Sequence, residues 1–118
     1  MSAEAILNHM VEYPPTLDST FKALGDPTRR RIVARLARGP QTVTELAEPL
    51  DMTLAGVSKH IRVLVDSGVV TQHKRGRRQI CTLRPEALTN AERWLRTQHD
   101  FWSRSLDRLE RLLEEDDA

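Results

Sequence analysis

The chain of 118 residues is poor in cysteine, aromatic residues and long apolar runs. Its single cysteine, Cys81, cannot form an intramolecular disulfide, which excludes the framework of a small disulfide-bonded secreted domain. The longest apolar runs, such as Val63-Leu64-Val65, fall far below the ~20 residues that a membrane-spanning helix needs. The first ten residues lack the basic start and apolar centre of a secretory signal. We therefore expect a cytoplasmic protein without a membrane segment.

The common catalytic and phosphate-binding motifs are also missing. The sequence contains no G-x-x-x-x-G-K-[ST], no G-x-G-x-x-G, no H-E-x-x-H and no G-x-S-x-G. Serine, histidine and acidic residues are present, but no spacing places them together as a catalytic group. We therefore predict no enzyme, no catalytic residue and no cofactor.

The charge is unevenly distributed along the chain, although the formal net charge is only +1. Residues 53–78 carry six Lys or Arg against one acidic residue, whereas residues 84–118 carry six against nine. Clustered Lys and Arg create the positive potential that attracts phosphate backbones. The length suits a single domain with one core. The basic band in its middle indicates a nucleic acid as partner.

Turn residues divide the first half of the chain into helices. Pro14-Pro15 ends any helix over residues 3–12, and Asp18 then precedes a short helix that stops at Gly25. Asp26-Pro27 is a helix-start signal, because Asp26 accepts a hydrogen bond from a free N–H and proline fits the first helical position. We expect this helix to reach Gly39-Pro40.

Two further helices follow, joined by a tight connection. Thr42 and Glu45 match the S/T-x-x-E capping box and open a helix of about two turns that ends near Pro49-Leu50. Thr53 is a good N-cap for the next helix, and Gly68 ends it. The apolar stripe of that helix consists of Leu54, Val57, Ile61, Leu64 and Val65.

The second half of the chain predicts a hairpin and one long helix. The β-prone segments 69–74 and 79–83 flank Gly76 and form a hairpin with a basic tip. From Glu86 onward, apolar residues recur every three or four positions. This helix carries more apolar surface than a small body can cover, so we expect a second copy of the chain to bury it. The acidic residues 114–117 should form a frayed, solvated tail.

Together these elements predict a mainly helical fold, a helix-turn-helix followed by a β-hairpin wing. Residues 1–16 form an arm, 17–84 the core and 85–118 the dimerisation helix with its tail. A helix held away from the body fits the major groove of double-stranded DNA, ~12 Å wide. Thr53, Ser58 and His60 are expected to read bases. The other predicted DNA contacts are Lys59 and Arg62 on that helix, Lys74, Arg75, Arg77 and Arg78 on the wing, and Arg29 and Arg30 at an earlier helix start.

Five motifs carry a resemblance to a known family: FKALGDPTR at 21–29, TELA at 44–47, VSKHIRVL at 57–64, GVV at 68–70 and RGR at 75–77. Over about residues 17–83 they resemble the ArsR/SmtB family of winged-helix bacterial repressors. The resemblance implies a homodimer paired through its first and last helices, a recognition helix over 54–67 and a pseudo-palindromic operator, which in such repressors is commonly their own promoter. The predicted dimer interface comprises Leu17, Phe21, Leu88, Ala91, Trp94, Leu95, Phe101, Trp102, Leu106 and Leu109.

The sequence departs from the metal-sensing members of that family. Those members carry paired cysteines on the helix before the recognition helix, where this chain has VTELAE at 43–48. Others use Asp and His on the last helix, where this chain has His99 beside Asp100 without a partner one turn away. We therefore predict no metal site and a resemblance to the metal-independent branch. Ala55-Gly56 replaces a Pro-Ala pair that is common in the family.

Three alternatives remain open on the sequence. Beside the metal-independent repressor, they are a protein-interaction adaptor whose basic wing binds an acidic partner, a repressor that responds to a metal, and a repressor that responds to another ligand. His9, His99, Asp100 and Cys81 are the residues that would join across a dimer to hold a metal, and Trp94, Phe101 and Trp102 those that would line an apolar effector pocket. Cys81 is also a conceivable redox switch, although the sequence offers no resolving thiol. The sequence identifies no small-molecule effector.

Overall fold

The computed structural model describes residues 15–116, so the predicted helix over 3–12 and His9 lie outside the described residues. Within that range, five helices and three short strands follow one another. They are α1 (Leu17–Leu24), α2 (Pro27–Leu36), β1 (Gln41–Thr42), α3 (Val43–Ala47), α4 (Leu54–Asp66), β2 (Val70–Arg75), β3 (Arg78–Leu83) and α5 (Pro85–Asp116). The predicted mainly helical fold with a β-hairpin after the second helix of a helix-turn-helix is confirmed.

Four of the helices begin at a side chain that accepts a backbone N–H. Asp26 and Thr53 begin α2 and α4 as predicted. Thr16, and not Asp18, begins α1, because Thr16 and Ser19 exchange hydrogen bonds in a complete capping box and leave Asp18 in the first turn. Side-chain chemistry therefore determines where these helices start.

The ends of α2 and α3 differ from the sequence prediction. Helix α2 stops at Leu36 instead of Gly39, and Gly39 adopts a positive φ of 146° before the chain enters β1. Helix α3 has only five residues and ends at Ala47. Pro49-Leu50 therefore belongs to the connection that leads to Thr53. The connection between α3 and α4 is thus longer than the sequence pattern indicates.

A third strand, which the sequence analysis did not predict, completes the sheet. β1 pairs antiparallel with β3, and the strand order is β1-β3-β2. Because Thr42 lies in this strand, only half of its predicted capping box forms. Its hydroxyl accepts from the N–H of Glu45, but the Glu45 carboxylate accepts from the Thr42 hydroxyl at 3.0 Å instead of from the Thr42 backbone. A strand of two residues has no periodicity that a sequence could reveal.

The core lies where α2, α3 and α4 meet the sheet and the first turns of α5. Its fully buried members come from every one of these elements, which fixes α4 and the hairpin on one body. They include Ile32, Leu46, Val57, Ile61, Leu64, Val69, Cys81 and Ala87. Burial of this kind contributes about 1.5–3 kcal/mol for each large aliphatic side chain.

Helix α5 continues far beyond this core. Its 32 residues span about 48 Å at ~1.5 Å per residue. Only Ala87 and Ala91, near its start, are buried within the chain. Glu114, Glu115 and Asp116 continue the helix, so the predicted frayed tail is corrected to an exposed last turn, while Asp117 lies outside the described residues.

Candidate nucleic-acid interface

The amino-terminal half of α4 presents a polar surface to solvent. Val57 and Ile61 are buried, which turns Ser58, Lys59 and Arg62 outward, where all three are exposed. The Arg62 guanidinium forms a solvent-exposed ion pair with Asp66 at 3.5 Å, one turn further along the helix. Pairs of this kind stabilise little, about 0.3–0.5 kcal/mol, so Arg62 can leave Asp66 for a phosphate at small cost.

Thr53 has a structural task at the start of α4. Its Oγ1 accepts the N–H of Gly56 at 3.1 Å and thereby caps the helix. The oxygen is thus partly occupied, and its hydroxyl hydrogen remains for a base or phosphate oxygen. A Cβ on Gly56 would approach both the Thr53 Oγ1 and the Met52 methyl to 3.2 Å, so glycine gives this first turn its close packing.

A cleft of about 590 Å³ separates α4 from the wing. The strands place Gln72 and Gln79 on its wing side, opposite Leu54 and Ser58 of α4. Leu54 was predicted to lie on the apolar stripe, but it is 55% exposed because α4 begins beyond the edge of the core. The recognition-helix candidate and the wing therefore line one cleft, together with the start of α3.

The wing presents its basic residues at the tip of the hairpin. Arg75 pairs with Arg78 across a two-residue turn, in which Gly76 has a φ of 64°. A positive φ at the first central residue is the requirement of a type II′ hairpin turn and explains the glycine. All four predicted basic residues are exposed: Lys74, Arg75, Arg77 and Arg78.

Arg29 and Arg30, predicted as phosphate anchors, both donate to backbone carbonyls of α1. The Arg29 Nε donates to Ala23 O at 2.6 Å, and the Arg30 Nη1 donates to Leu24 O at 2.7 Å. These carbonyls belong to the last turn of α1, where intrahelical donors are missing. The two guanidinium groups are thus engaged with the end of α1, and the sequence pattern gave no sign of it.

His60, predicted to read bases, lies instead at the junction between α4 and the start of α2. Its Nδ1 is 3.3 Å from the Arg29 Nη1 and 3.8 Å from the Asp26 carboxylate. The hydrogen bond that Asp26 accepts from the Arg29 N–H lowers the pKa of Asp26, and the nearby His60 adds to this effect. The ring remains partly exposed, at 21%.

The predicted dimer residues fall into two groups. Ala91 is 5% exposed and Leu88 packs against the core, so both contribute mainly to packing within the chain. Leu17 is half-buried. The Trp94 ring contacts Phe21, and Phe101 contacts Trp102. The exposed predicted members are Phe21, Trp94, Leu95, Phe101, Trp102, Leu106 and Leu109.

The metal and thiol candidates stay apart. Among the described residues, no three His, Cys, Asp or Glu side chains are grouped so that they could hold a metal ion. Cys81 is buried in the sheet, and burial raises the pKa of its thiol to about 11. None of the helices within residues 15–116 combines the length and the apolar character needed to cross a bilayer.

Comparison with known proteins identifies the family. Residues 24–73 match a family model described as a helix-turn-helix domain. Over 90 residues, the chain is 42% identical to the HTH-type transcriptional regulator Rv2034 of Mycobacterium tuberculosis, covering 75% of this chain and 80% of that protein. A crystal structure of the ArsR family transcriptional regulator RHA00566 is 48% identical with a TM-score of 0.69, covering 74% of this chain and 96% of that one. The chain belongs to the ArsR family of transcriptional regulators.

Another relative of this ArsR-family chain is the transcriptional repressor SdpR of Bacillus subtilis. It is 29% identical over 79 residues, which make up 67% of this chain and 88% of that protein. The winged helix-turn-helix fold expected from the sequence motifs is therefore shown by both the structure and the family.

The sequence analysis of this ArsR-family chain did not predict three residues that line the cleft between α4 and the wing: Leu54, Gln72 and Gln79. For Leu54 the apolar pattern was misleading, because it cannot show where the core ends. For the two glutamines a signal exists, because Gln79 lies two residues from Cys81, which pairs with Gln72. Residues two apart share a face, so both glutamines lie on the same side of the hairpin.

Proposed function

We propose that the protein is a homodimeric repressor that binds a pseudo-palindromic operator in double-stranded DNA, with its own promoter as the first operator to test. It would act in the cytoplasm by occupying DNA, without catalysing a reaction. The observation that carries this proposal is the surface shared by α4 and the wing. There a helix with an exposed polar face stands beside a hairpin that bears four exposed basic residues.

The arrangement suits the division of labour in DNA recognition. In this proposal the amino-terminal half of α4 enters the major groove, where Ser58 and Thr53 reach base edges through their hydroxyls. Leu54 would contact a thymine methyl group, the one apolar feature of the major-groove edge. Phosphate contacts come from basic side chains, which position the protein without reading sequence: Lys59, Arg62, Lys74, Arg75, Arg77 and Arg78.

The proposed homodimer rests on the exposed apolar face of α5. Trp102 is 62% exposed and Leu109 is 53% exposed, although both are large apolar side chains. Contiguous apolar surface of this kind marks an interaction site. A second copy that pairs α1 and α5 across a two-fold axis would bury this face and place two α4 helices about one helical turn of DNA apart.

We propose in addition that binding requires no metal. Helix α3 carries no thiol, and Cys81 is buried with a raised pKa, which disfavours the thiolate that binds metals. His99 and Asp100 are exposed neighbours on α5. Consecutive helical residues point about 100° apart, so the two side chains are poorly placed to share one ion.

Fluorescence anisotropy tests the proposal. Purified, chelator-treated protein is titrated onto the intergenic DNA upstream of its own gene and onto a scrambled duplex, at ~150 mM salt, first alone and then with zinc. The proposal expects binding to the native duplex at least about 1,000-fold tighter than to the scrambled one, unaltered by zinc. Equal weak binding to both duplexes would leave only electrostatic attraction and favour another operator or an acidic protein partner. A change of affinity with zinc would favour a metal-responsive repressor.

A further inference from the structure

Helix α1 lies between the helix proposed to form the dimer and the helix proposed to read DNA. On one side, the Phe21 ring meets Trp94 of α5. On the other side, Thr20 and Ala23 are fully buried in the body. Two polar contacts then connect α1 to α4. We call these two contacts, made by Ser19 and by Arg29, the α1 bridge.

The first contact of the α1 bridge is at the carboxyl end of α4. The Ser19 hydroxyl lies 2.9 Å from the carbonyl of Ser67, the C-cap of α4, and 3.1 Å from the carbonyl of Thr16, and its one hydrogen serves these two acceptors. The two residues are 48 positions apart in sequence. The Ser67 carbonyl is one of the groups that a helix leaves without an intrahelical donor. The Ser19 hydroxyl supplies a donor to this carbonyl.

The second contact is made by one guanidinium group. Arg29 donates through Nε to Ala23 O at 2.6 Å and through Nη2 to Lys22 O at 3.4 Å. Its Nη1 lies 3.3 Å from His60 Nδ1 on α4, which accepts when the ring is neutral with its proton on Nε2. A guanidinium is planar with a rigid fork of donors, so it fixes the direction between its partners as well as their distance.

We infer that Arg29 and Ser19 are positioning residues for DNA recognition. The inference rests on the proposed function. In the proposed dimer, α1 and α5 are fixed by the partner chain, while α4 must meet the groove. The core holds α4 through Val57, Ile61 and Leu64, and the α1 bridge adds a directional link that refines the distance and angle between the two recognition helices. Arg29 acts through His60 and the end of α1, and makes no phosphate contact itself.

A rigid pair of recognition helices requires one spacing between the two half-sites. Each added base pair moves a half-site by about 3.4 Å along the duplex and rotates it by about 35° around the axis. A dimer with the intact α1 bridge should therefore discriminate strongly between spacings. Loss of the bridge should relax that discrimination, because only the core contacts then hold the orientation of α4.

The experiment measures binding of the full chain to its operator and to two variants with one base pair inserted or deleted between the half-sites. Wild type should bind the altered operators about tenfold or more weakly than the native one. For Arg29→Ala, operator affinity should fall about tenfold while the penalty for altered spacing shrinks below about threefold. Ser19→Ala removes the bond to Ser67 and also the hydrogen bond that the Ser19 hydroxyl accepts from the Thr16 N–H. It should shrink the same penalty and carries the test if Arg29→Ala does not fold.

The salt dependence of binding separates positioning from phosphate contact. Affinity falls as salt is added. Removing one phosphate contact makes the plot of log affinity against log salt less steep by about 0.9. The inference expects Arg29→Ala and Ser19→Ala to leave this slope and the dimer affinity unchanged. Arg29→Lys should give an intermediate spacing penalty, because an ammonium cannot reproduce the fork. Arg31→Ala, an exposed arginine on the same helix, is the matched control and should behave as wild type.

Two results would overturn the inference. The first is a full spacing penalty retained by both Arg29→Ala and Ser19→Ala. The second is a reduced salt slope for Arg29→Ala, which would assign Arg29 to a phosphate. Failure of the proposed function looks different: wild type itself would then show no preference for operator over scrambled DNA, before any variant is compared.

Discussion

The Phe21 ring meets the Trp94 ring edge-on, with centroids 5.8 Å apart and planes at 70°. This is the favourable geometry for two aromatic quadrupoles and is worth about 0.5–1.5 kcal/mol beyond the area buried. Both rings nevertheless remain more than a third exposed. The pair thus holds α1 against α5 and also forms the start of the apolar face that continues along α5.

A charge on that face should separate the proposed dimer. Leu109→Glu loses the burial of a leucine in each of two chains, at about 1.5–3 kcal/mol each. We therefore expect the dimer Kd to rise at least about 100-fold, measured by sedimentation equilibrium. Arg111→Gln, on the opposite side of α5, lowers the net charge by the same amount and should leave the Kd near that of wild type. Equal effects of the two variants would show that net charge, not the apolar face, controls assembly.

Removing the tip of the wing should weaken DNA binding without changing its sequence preference. The double variant Arg77→Ala and Arg78→Ala should lower the salt slope by about 1.8 for each chain, because each lost phosphate contact accounts for about 0.9. Anisotropy titrations from about 50 to about 300 mM salt measure this slope. Affinity should fall by the same factor on operator and scrambled DNA. An unchanged slope would exclude the wing tip from phosphate binding.

The start of α2 should contribute to acid sensitivity. The hydrogen bond from the Arg29 N–H holds the pKa of Asp26 below its ordinary value of 3.8. The ionised carboxylate therefore stabilises the fold above about pH 3.8, and this contribution is lost as the pH falls from there through the folded-state pKa. Asp26→Asn keeps an acceptor for the cap and should show a smaller drop in melting temperature between pH 5 and 2, about the range over which aspartates titrate. Asp26→Ala, which loses the cap, should melt lower than Asp26→Asn at neutral pH. A wild-type acid response in Asp26→Asn would contradict the assignment.

Cys81 should be inert in the folded protein. Burial raises the pKa of its thiol to about 11, so the reactive thiolate is scarce at pH 8, well below that value. We expect labelling by a thiol reagent to be at least about 100-fold slower in the native state than in urea. DNA binding should also be unchanged after brief treatment with an oxidant. Rapid native labelling, or loss of binding after oxidation, would reopen the redox alternative.

The local chemistry of the fold was largely readable from the sequence. Asp26 and Thr53 predicted two helix starts correctly, because their side chains accept hydrogen bonds from neighbouring N–H groups in any tertiary context. Gly76 indicated the hairpin, because the turn needs a residue with a positive φ. Features of this kind depend on a few adjacent residues, so a single sequence reveals them.

Features that depend on distant contacts were not readable. β1 exists because two residues after α2 reach β3, about forty positions later, and no local pattern encodes that pairing. The engagement of Arg29 with α1 and His60 has the same origin, since its partners lie 6, 7 and 31 positions away. For the candidate site, the sequence identified the exposed basic wing correctly as a surface but could not distinguish an arginine free to meet phosphate from one already bonded.

The exposed face of α5 has a consequence for how much of the regulator a cell must make. If two chains must pair before either can hold DNA, the paired population at low expression grows with the square of the total chain concentration. Doubling the total chain concentration would then raise the active form about fourfold, and halving it would leave about a quarter. A repressor acting on its own promoter under this rule would settle near a threshold level and return to it after cell division.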